Sequence, residues 1–421
     1  MQPLKITLYG NYYDCQIYRG RLYLWTFDGD LCVYDWNRLV DSFIFDGVDA
    51  LPLRYGFQDG RYLYRQSIQQ IFEDVEFKEL LSKKYIKASK IKHNASENDV
   101  AYCLIGKQDS PSGRLPLDTE IYNSNLYYST DEGFYRTTAH RPINAKYMVS
   151  TKPIKVWDGK AISIVANDYP QMALSAGSDG LLEYSLSNSV KSLSLKTVEP
   201  NLYKVSDKFS LYSNYIYESI FSSSRQGGSY ISLFKFEKYK DEYYGRERLC
   251  RNYDREMEER EFDGYEESND GTICWGVQDK IYMATSQKVK VMKYNKWNAE
   301  GSDRMHTIET KNTKHDSMII KGGAAIFGNI IEYDDGLLVM RSDGKKTWIP
   351  GEITRWRVYP RSLNYLNHLH VILDDRIEFY SFNHDYFIDQ SQKVMGTEYV
   401  EPRPRGSNVV QDAGYFDLMP Y

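Results

Sequence analysis

Two histidines two positions apart, His368 and His370 in the segment HLH, are the nearest approach in this chain to a metal-binding or acid–base pair. On a strand, residues i and i+2 share a face. Both imidazoles would then point the same way, and a metal would still need a third ligand from elsewhere. Histidines on a half-exposed strand are the plainer reading, so no metal ligand is assigned. His384 and Asp385 are adjacent, would point apart on a strand, and suit a turn. Carboxylates gather at the hairpin turns (Asp28, Asp30, Asp131, Glu132, Asp179, Asp334, Asp335, Asp374 and Asp375). Asp at such positions bonds its own local backbone, and a calcium or glycan site on one face is the sharper alternative. The cysteines Cys15, Cys32, Cys103, Cys250 and Cys274 are odd in number and lack CxxC spacing, against both a zinc site and a disulfide framework. There is no P-loop, GxGxxG, HExxH or GxSxG. We therefore assign no catalytic residue and expect no cofactor.

Basic residues interleaved with aromatics are the remaining chemistry. SKKYIKASKIKH carries Lys83, Lys84 and Lys87, followed by Lys90 and Lys92. TRWRVYPR sets Arg355, Arg357 and Arg361 around Trp356 and Tyr359. On a strand, Arg355 and Arg357 would share one face, with Trp356 and Val358 packed on the other. A guanidinium fork suits a carboxylate or phosphate. Lys83, Lys84, Lys87, Arg355, Arg357, Tyr359 and Arg361 are accordingly the candidate binding residues; a solvated edge and a packed Trp are the plainer reading.

These residues must be positioned by a chain of 421 residues with 42% hydrophobic and 26% charged residues, a globular composition. Net charge is -5, which makes no global case for nucleic acid or an anionic membrane. Tyrosine is over-represented, with 38 residues. It fits a pleated surface whose hydroxyls reach water or a partner. The first residues, MQPLKITLYGNYYD, contain no signal-like apolar run, and no stretch has membrane-span length. A cytoplasmic location is expected.

The dominant pattern is a hairpin repeated along the chain: RLYLWTFDGDLCVYDW (21–36), SNLYYSTDEGFYRTT (124–138), QMALSAGSDGLLEYSL (171–186), DKIYMATSQKVKVMKY (279–294), NIIEYDDGLLVMR (329–341) and HLHVILDDRIEFYSF (368–382). Apolar and polar residues alternate in many of these runs, and Gly29, Gly180 and Gly336 supply turn backbone. Candidate hairpin centres fall near residues 28, 66, 131, 178, 225, 286, 335 and 375. Their spacing of about 50 residues is that of propeller blades. The second, GRYLYRQSIQQIFED (60–74), lacks a clean turn. The fold class expected is all-β: a single closed β-propeller of seven or eight blades over 1–390, with the strand KITLYG (5–10) pairing with the last blade. Insertions are expected at about 74–97, beginning as a short helix and turning basic, and at the charge-dense 239–270. Residues 391–421 read as a C-terminal tail.

GDLCVYDWN (29–37) resembles the end of the third strand of a WD-repeat, with Tyr34–Asp35 as the aromatic–Asp pair. IKVWDG (154–159) carries Trp–Asp literally, at a position that suits a fourth strand. The Gly-His pair of WD repeats is missing throughout. The chain thus resembles a divergent member of the WD-repeat-like propellers, which implies a non-catalytic platform. We expect a protein–protein interaction scaffold, a subunit of a cytosolic multiprotein complex with a protein partner. The alternatives are a small-molecule- or glycan-binding propeller enzyme using a central funnel, and a nucleic-acid-binding accessory factor.

Overall fold

The computed structural model describes residues 2–44, 50–58, 71, 74–111, 113, 115–139, 148–167, 170–186, 195–224, 227–240, 247–263, 265, 272–277, 279–285, 287–295, 305–313, 317–341, 345–362, 364–382, 393–394 and 397–398. Among these, strands form seven sheets of four or five strands, built on antiparallel pairings with one parallel strand added at the edge of the last, and most neighbours in a sheet are consecutive in the chain. Blade I comprises Tyr12–Tyr18, Arg21–Thr26, Asp30–Asp35 and Leu104–Asp109. Blade II comprises Asp118–Tyr122, Asn125–Thr130, Gly133–Thr138 and Ile154–Trp157. In blade III, Ser163–Ala166, Gln171–Ser175, Leu181–Ser185 and Leu202–Ser206 are joined at the edge by Lys196–Glu199. Blade IV is Tyr212–Ile216, Ser219–Ser224, Gly228–Lys240 and Glu247–Glu258. Blade V is Ile273–Val277, Lys280–Ala284, Lys288–Tyr294 and Met305–Asn312. Ile319–Ala325, Gly328–Tyr333, Gly336–Arg341 and Lys346–Pro350 make blade VI. In blade VII, Arg355–Val358, His368–Leu373 and Arg376–Ser381 are completed by the N-terminal Leu4–Tyr9 and the edge strand His93–Ser96. This is the blade set of a seven-blade β-propeller.

The chain divides into two compact units: Met1–Leu115 with Thr138–Thr151 and Ala324–Tyr421, and Pro116–Thr137 with Lys152–Gly323. Blades I, VI and VII belong to the first and blades II to V to the second; the first strand of blade VI carries the chain from one to the other. Within each unit the apolar core lies between consecutive blades. Phe134, Leu174 and Leu202 are packed in one cluster of blades II and III; Phe221, Ile281 and Met292 in one of blades IV and V. Val339, Val371 and Phe382 do the same for blades VI and VII. The sequence suggested half-wet strands. Instead, middle strands such as Arg21–Thr26, Gln171–Ser175 and His368–Leu373 are buried on both faces, while fourth strands such as Leu104–Asp109 and Lys346–Pro350 are largely open. Stacking sheet on sheet covers both faces of a middle strand. The polar average of the sequence comes from the edges.

Leu4–Tyr9 pairs with Arg376–Ser381 from Leu4↔Ser381 to Tyr9↔Arg376, so the two ends of the propeller sequence share one sheet, as KITLYG suggested. The tight turns before the third strands of blades I and III place Gly29 at φ 88 and Gly180 at φ 81, left-handed backbone that glycine adopts without strain.

Between the third and fourth strands of blade I the chain leaves the sheet. It forms α1 (Trp36–Ser42), α2 (Ala50–Phe57) and α3 (Val75–Ala88), then lays His93–Ser96 parallel to the N-terminal strand. Asp35, the Asp of the WD-like pair, caps α1 by accepting from Arg38 N at 3.0 Å, and Asp74 caps α3 through Phe77 N at 2.8 Å. Trp36 and Phe57 seal α1 on α2, and Trp36 Nε1 donates to Phe57 O at 2.6 Å. A Cβ on Gly56 would meet Leu4 Cδ1 at 2.9 Å, so α2 sits close against the N-terminal strand.

One expectation lies outside the described residues and one changes. The hairpin expected at 60–74 lies almost wholly outside the described residues; helices flank it, and the described blades number seven. The segment 239–270, expected as a solvated insertion, is largely hairpin: Gly228–Lys240 and Glu247–Glu258 pair from Tyr230↔Glu258 to Lys240↔Glu247. Hairpin pairing satisfies the backbone whatever the side chains, so few apolar residues did not mean loss of strand. The tail 391–421 lies outside the described residues apart from the small pairing of 393–394 with 397–398.

Candidate functional site

The densest gathering of chemistry-bearing side chains in the first unit joins the first strand of blade I to blade VII. Asp14 is fully buried. Arg357 holds it with two charge-assisted bonds, Nε to Oδ1 at 3.0 Å and Nη2 to Oδ2 at 2.7 Å. Arg355 follows from the same face of its strand, with Nη1 3.6 Å from Asp14 Oδ2 and its guanidinium 5.4 Å from the centre of the Tyr13 ring. Trp356 points the other way and donates to Glu332 Oε2 at 2.6 Å. The alternation read from TRWRVYPR is therefore present. The guanidinium forks, however, close on a carboxylate of their own chain, with side chains 19% and 13% exposed for Arg355 and Arg357. Arg361 lies half-buried in the turn that follows.

Beside this ion pair, Tyr359 Oη lies 3.0 Å from His370 Nδ1. Cys15 Sγ is 3.9 Å from the same nitrogen and 4.0 Å from the Tyr359 hydroxyl. His368 and His370 do share a face, 5.6 Å apart between ring centres, but they are buried rather than half-exposed. Trp36 lies 5.9 Å from each imidazole, Phe57 5.5 Å from His368 and Phe379 4.8 Å from His370. His368 Nε2 lies 3.1 Å from Gly56 O, near the end of α2. The strand face of blade VII that looked half-wet in sequence is covered by the helical insertion.

Electrostatics follow from that cover. Burial drives His368 down to about 3, and His370, also beside His368, is held well below its ordinary range. Burial and then the Asp14 charge push the Cys15 thiol up to about 12. Burial and then Cys15 push the Tyr359 phenol well up. Thiol, phenol and imidazoles are thus all neutral at pH 7, and the one carboxylate is paired. This constellation offers neither an activated nucleophile nor a base near pH 7. Among the described residues, no group of three or more His, Cys, Asp or Glu is arranged to hold a metal ion.

The lysines lie elsewhere in the first unit. Lys83, Lys84 and Lys87 are on α3, whose buried side is Leu81, Tyr85 and Ala88. Lys83 Nζ pairs with Glu79 at 3.0 Å on the exposed side, an i,i+4 contact of small worth. Around it Val75 is 77% exposed, Leu80 52% and Ile86 42%. The lysine and arginine sets occupy different elements, Arg355 and Arg357 tied to Asp14, Lys83 and Lys87 exposed and Lys84 half-buried.

Sequence reasoning passed over a buried ion pair in the second unit. Arg251 Nη1 meets Glu183 Oε2 at 2.6 Å, its Nε donates to Glu218 O at 2.7 Å, and its guanidinium lies 3.4 Å from the Phe234 ring centre. Tyr215 Oη adds a bond to Glu183 at 2.9 Å. The signal was a lone Glu inside the apolar strand LLEYS.

These sheets make the chain a seven-blade β-propeller protein with WD-like blade rhythm. No family model and no curated protein matches its sequence. Solved structures similar to it include the WD40 domain of Neurospora crassa Pan2, 7% identical over 89% of this chain and 90% of that one, with a TM-score of 0.44. BBS1N in complex with ARL6DN is 10% identical, with 90% and 96% covered and a TM-score of 0.43. The extracellular domain of the one-component system BT4673 of B. thetaiotaomicron is 12% identical with a TM-score of 0.42; the match covers 90% of this chain and 39% of that one.

Proposed function

We propose that this propeller is a non-catalytic interaction platform, a subunit of a cytosolic protein complex. One observation carries the reading. The chemistry-bearing side chains gathered between blades I and VII are buried, neutral or internally paired, whereas charge and apolar surface are presented together on the helical insertion of blade I. Such a platform places contacts on segments held by a rigid scaffold. The buried free thiols of Cys15, Cys32, Cys103 and Cys274 fit a reducing compartment. Size-exclusion chromatography with mass determination on the tagged chain, purified from its native cell, tests this. A stoichiometric protein partner is expected; a lone monomer under gentle lysis would contradict it.

A further inference from the structure

Helix α3 ends in an unusual concentration of one charge. From Lys83 to Lys92 the chain has five lysines and no acid. One or two cations complement the C-terminal dipole of a helix; five exceed that need. In the same helix Glu76 stands in the first turn and Glu79 is engaged by Lys83. Among the described residues no carboxylate pairs with Lys84, Lys87 or Lys90.

The arrangement of that face is specific. At about 100° per residue, taking Val75 as origin, Ile86 falls at about 20°, Lys83 at about 80°, Lys87 at about 120° and Leu80 at about 140°. Lys83 and Lys87 lie in the middle of the exposed face together with Glu79 at about 40° and Glu76 at about 100°, so the unopposed charge is that of Lys87 and the lysines beyond it, with Val75 and Ile86 on one border and Leu80 on the other. A helix that lies in a lipid interface carries the reverse pattern, apolar residues central and lysines flanking. Single-stranded nucleic acid is gripped with stacking aromatics beside the charge, and the one aromatic within this basic run, Tyr85, is buried.

We infer that the exposed face of α3 docks an acidic segment of a partner protein, its carboxylates over Lys83 and Lys87 and apolar side chains reaching Val75, Ile86 and Leu80. The inference rests on the platform reading and names its contact surface and the chemistry of its partner. Charge complementarity of this kind fixes register and speeds encounter, and the apolar borders supply dehydrated contact.

The test places a photo-crosslinking amino acid at Ile86 in the full chain, in the native cell, with the same probe at exposed Val198 as control. The Ile86 probe is expected to capture a partner peptide rich in Asp and Glu. That peptide, synthesised, should bind the purified chain and lose at least about tenfold in affinity in the K83E/K84E/K87E variant. A single Leu80→Asp change should also weaken it. Far-UV circular dichroism and melting confirm that each variant is folded. A partner captured only at Val198, with binding unchanged by charge reversal, overturns the α3 assignment and leaves the platform reading standing. No partner at either position defeats both. Binding of phosphatidylserine vesicles or a short single-stranded RNA, abolished by the same reversal and without a protein crosslink at Ile86, overturns the acidic-protein inference in favour of lipid or nucleic acid.

Discussion

Acidification from pH 7 to pH 5 should weaken the first unit through His368 and His370. Their folded-state values lie below the ordinary 6.5, at about 3 for His368 and well below 6.5 for His370. Below pH 6.5 the unfolded chain therefore takes up protons that the folded chain refuses. Stability is complete above about 6.5 and falls as the pH drops through the window down to the folded values. Each unit of pH costs about 1.4 kcal/mol per imidazole. At pH 5, about 1.5 units into the window, His368 removes about 2 kcal/mol, and His370 adds a loss of the same sign. Ordinary carboxylates, titrating near 4, stay mostly ionised there, so the histidines dominate. With an m-value of about 3 kcal/mol/M, the urea midpoint should fall by at least about 0.7 M. The assay is urea unfolding between pH 7.5 and 5, followed by tryptophan fluorescence, because Trp36 packs against both rings. Replacing both histidines by glutamine should flatten the dependence, whatever it does to stability at pH 7. A midpoint independent of pH in the native chain, or a slope retained in H368Q/H370Q, would refute the assignment of both imidazoles as buried and neutral.

Three further outcomes follow from other contacts. Arg251→Met strips Glu183 of its buried partner and should cost about 3–5 kcal/mol, much of it recovered by adding Glu183→Leu; a urea midpoint unmoved by the single change would contradict the pairing. Deleting residues 1–10 removes a strand whose six residues all pair with blade VII and which lies between Arg376–Ser381 and His93–Ser96, so the melting temperature should drop sharply or folding fail; an unchanged melting temperature would argue against that pairing. Cys15, with its thiol pushed up to about 12 and no solvent access, should resist iodoacetamide at pH 8 in the native state and react once unfolded, as read by mass spectrometry; rapid native labelling would contradict its burial.

Much of the blade structure was legible because a period-two pattern with Asp-Gly turns repeats at nearly constant spacing. Tyr34–Asp35 does end a third strand and Trp157 does end a fourth. What escaped was local order too short to show a period. α1 and α2 have 7 and 8 residues, about two turns each, and are held by Trp36, Phe57 and Gly56 rather than by an amphipathic stripe. The long hairpin of blade IV escaped for the opposite reason: its charge hid a pairing that the backbone alone sustains. At the candidate site, the shared faces of Arg355 with Arg357 and of His368 with His370 followed from strand alternation. Their occupation did not, because Asp14 lies 343 positions from Arg357 and Gly56 lies 312 from His368. No spacing rule links residues so far apart, and only the pairing of the first and last strands brings them together.

The claim that this chain works through a presented surface meets its most direct test in the mass of the endogenous particle. Light scattering on native material should give a complex heavier than the monomer, reduced to the monomer by K83E/K84E/K87E. Monomeric mass in both proteins would contradict the account.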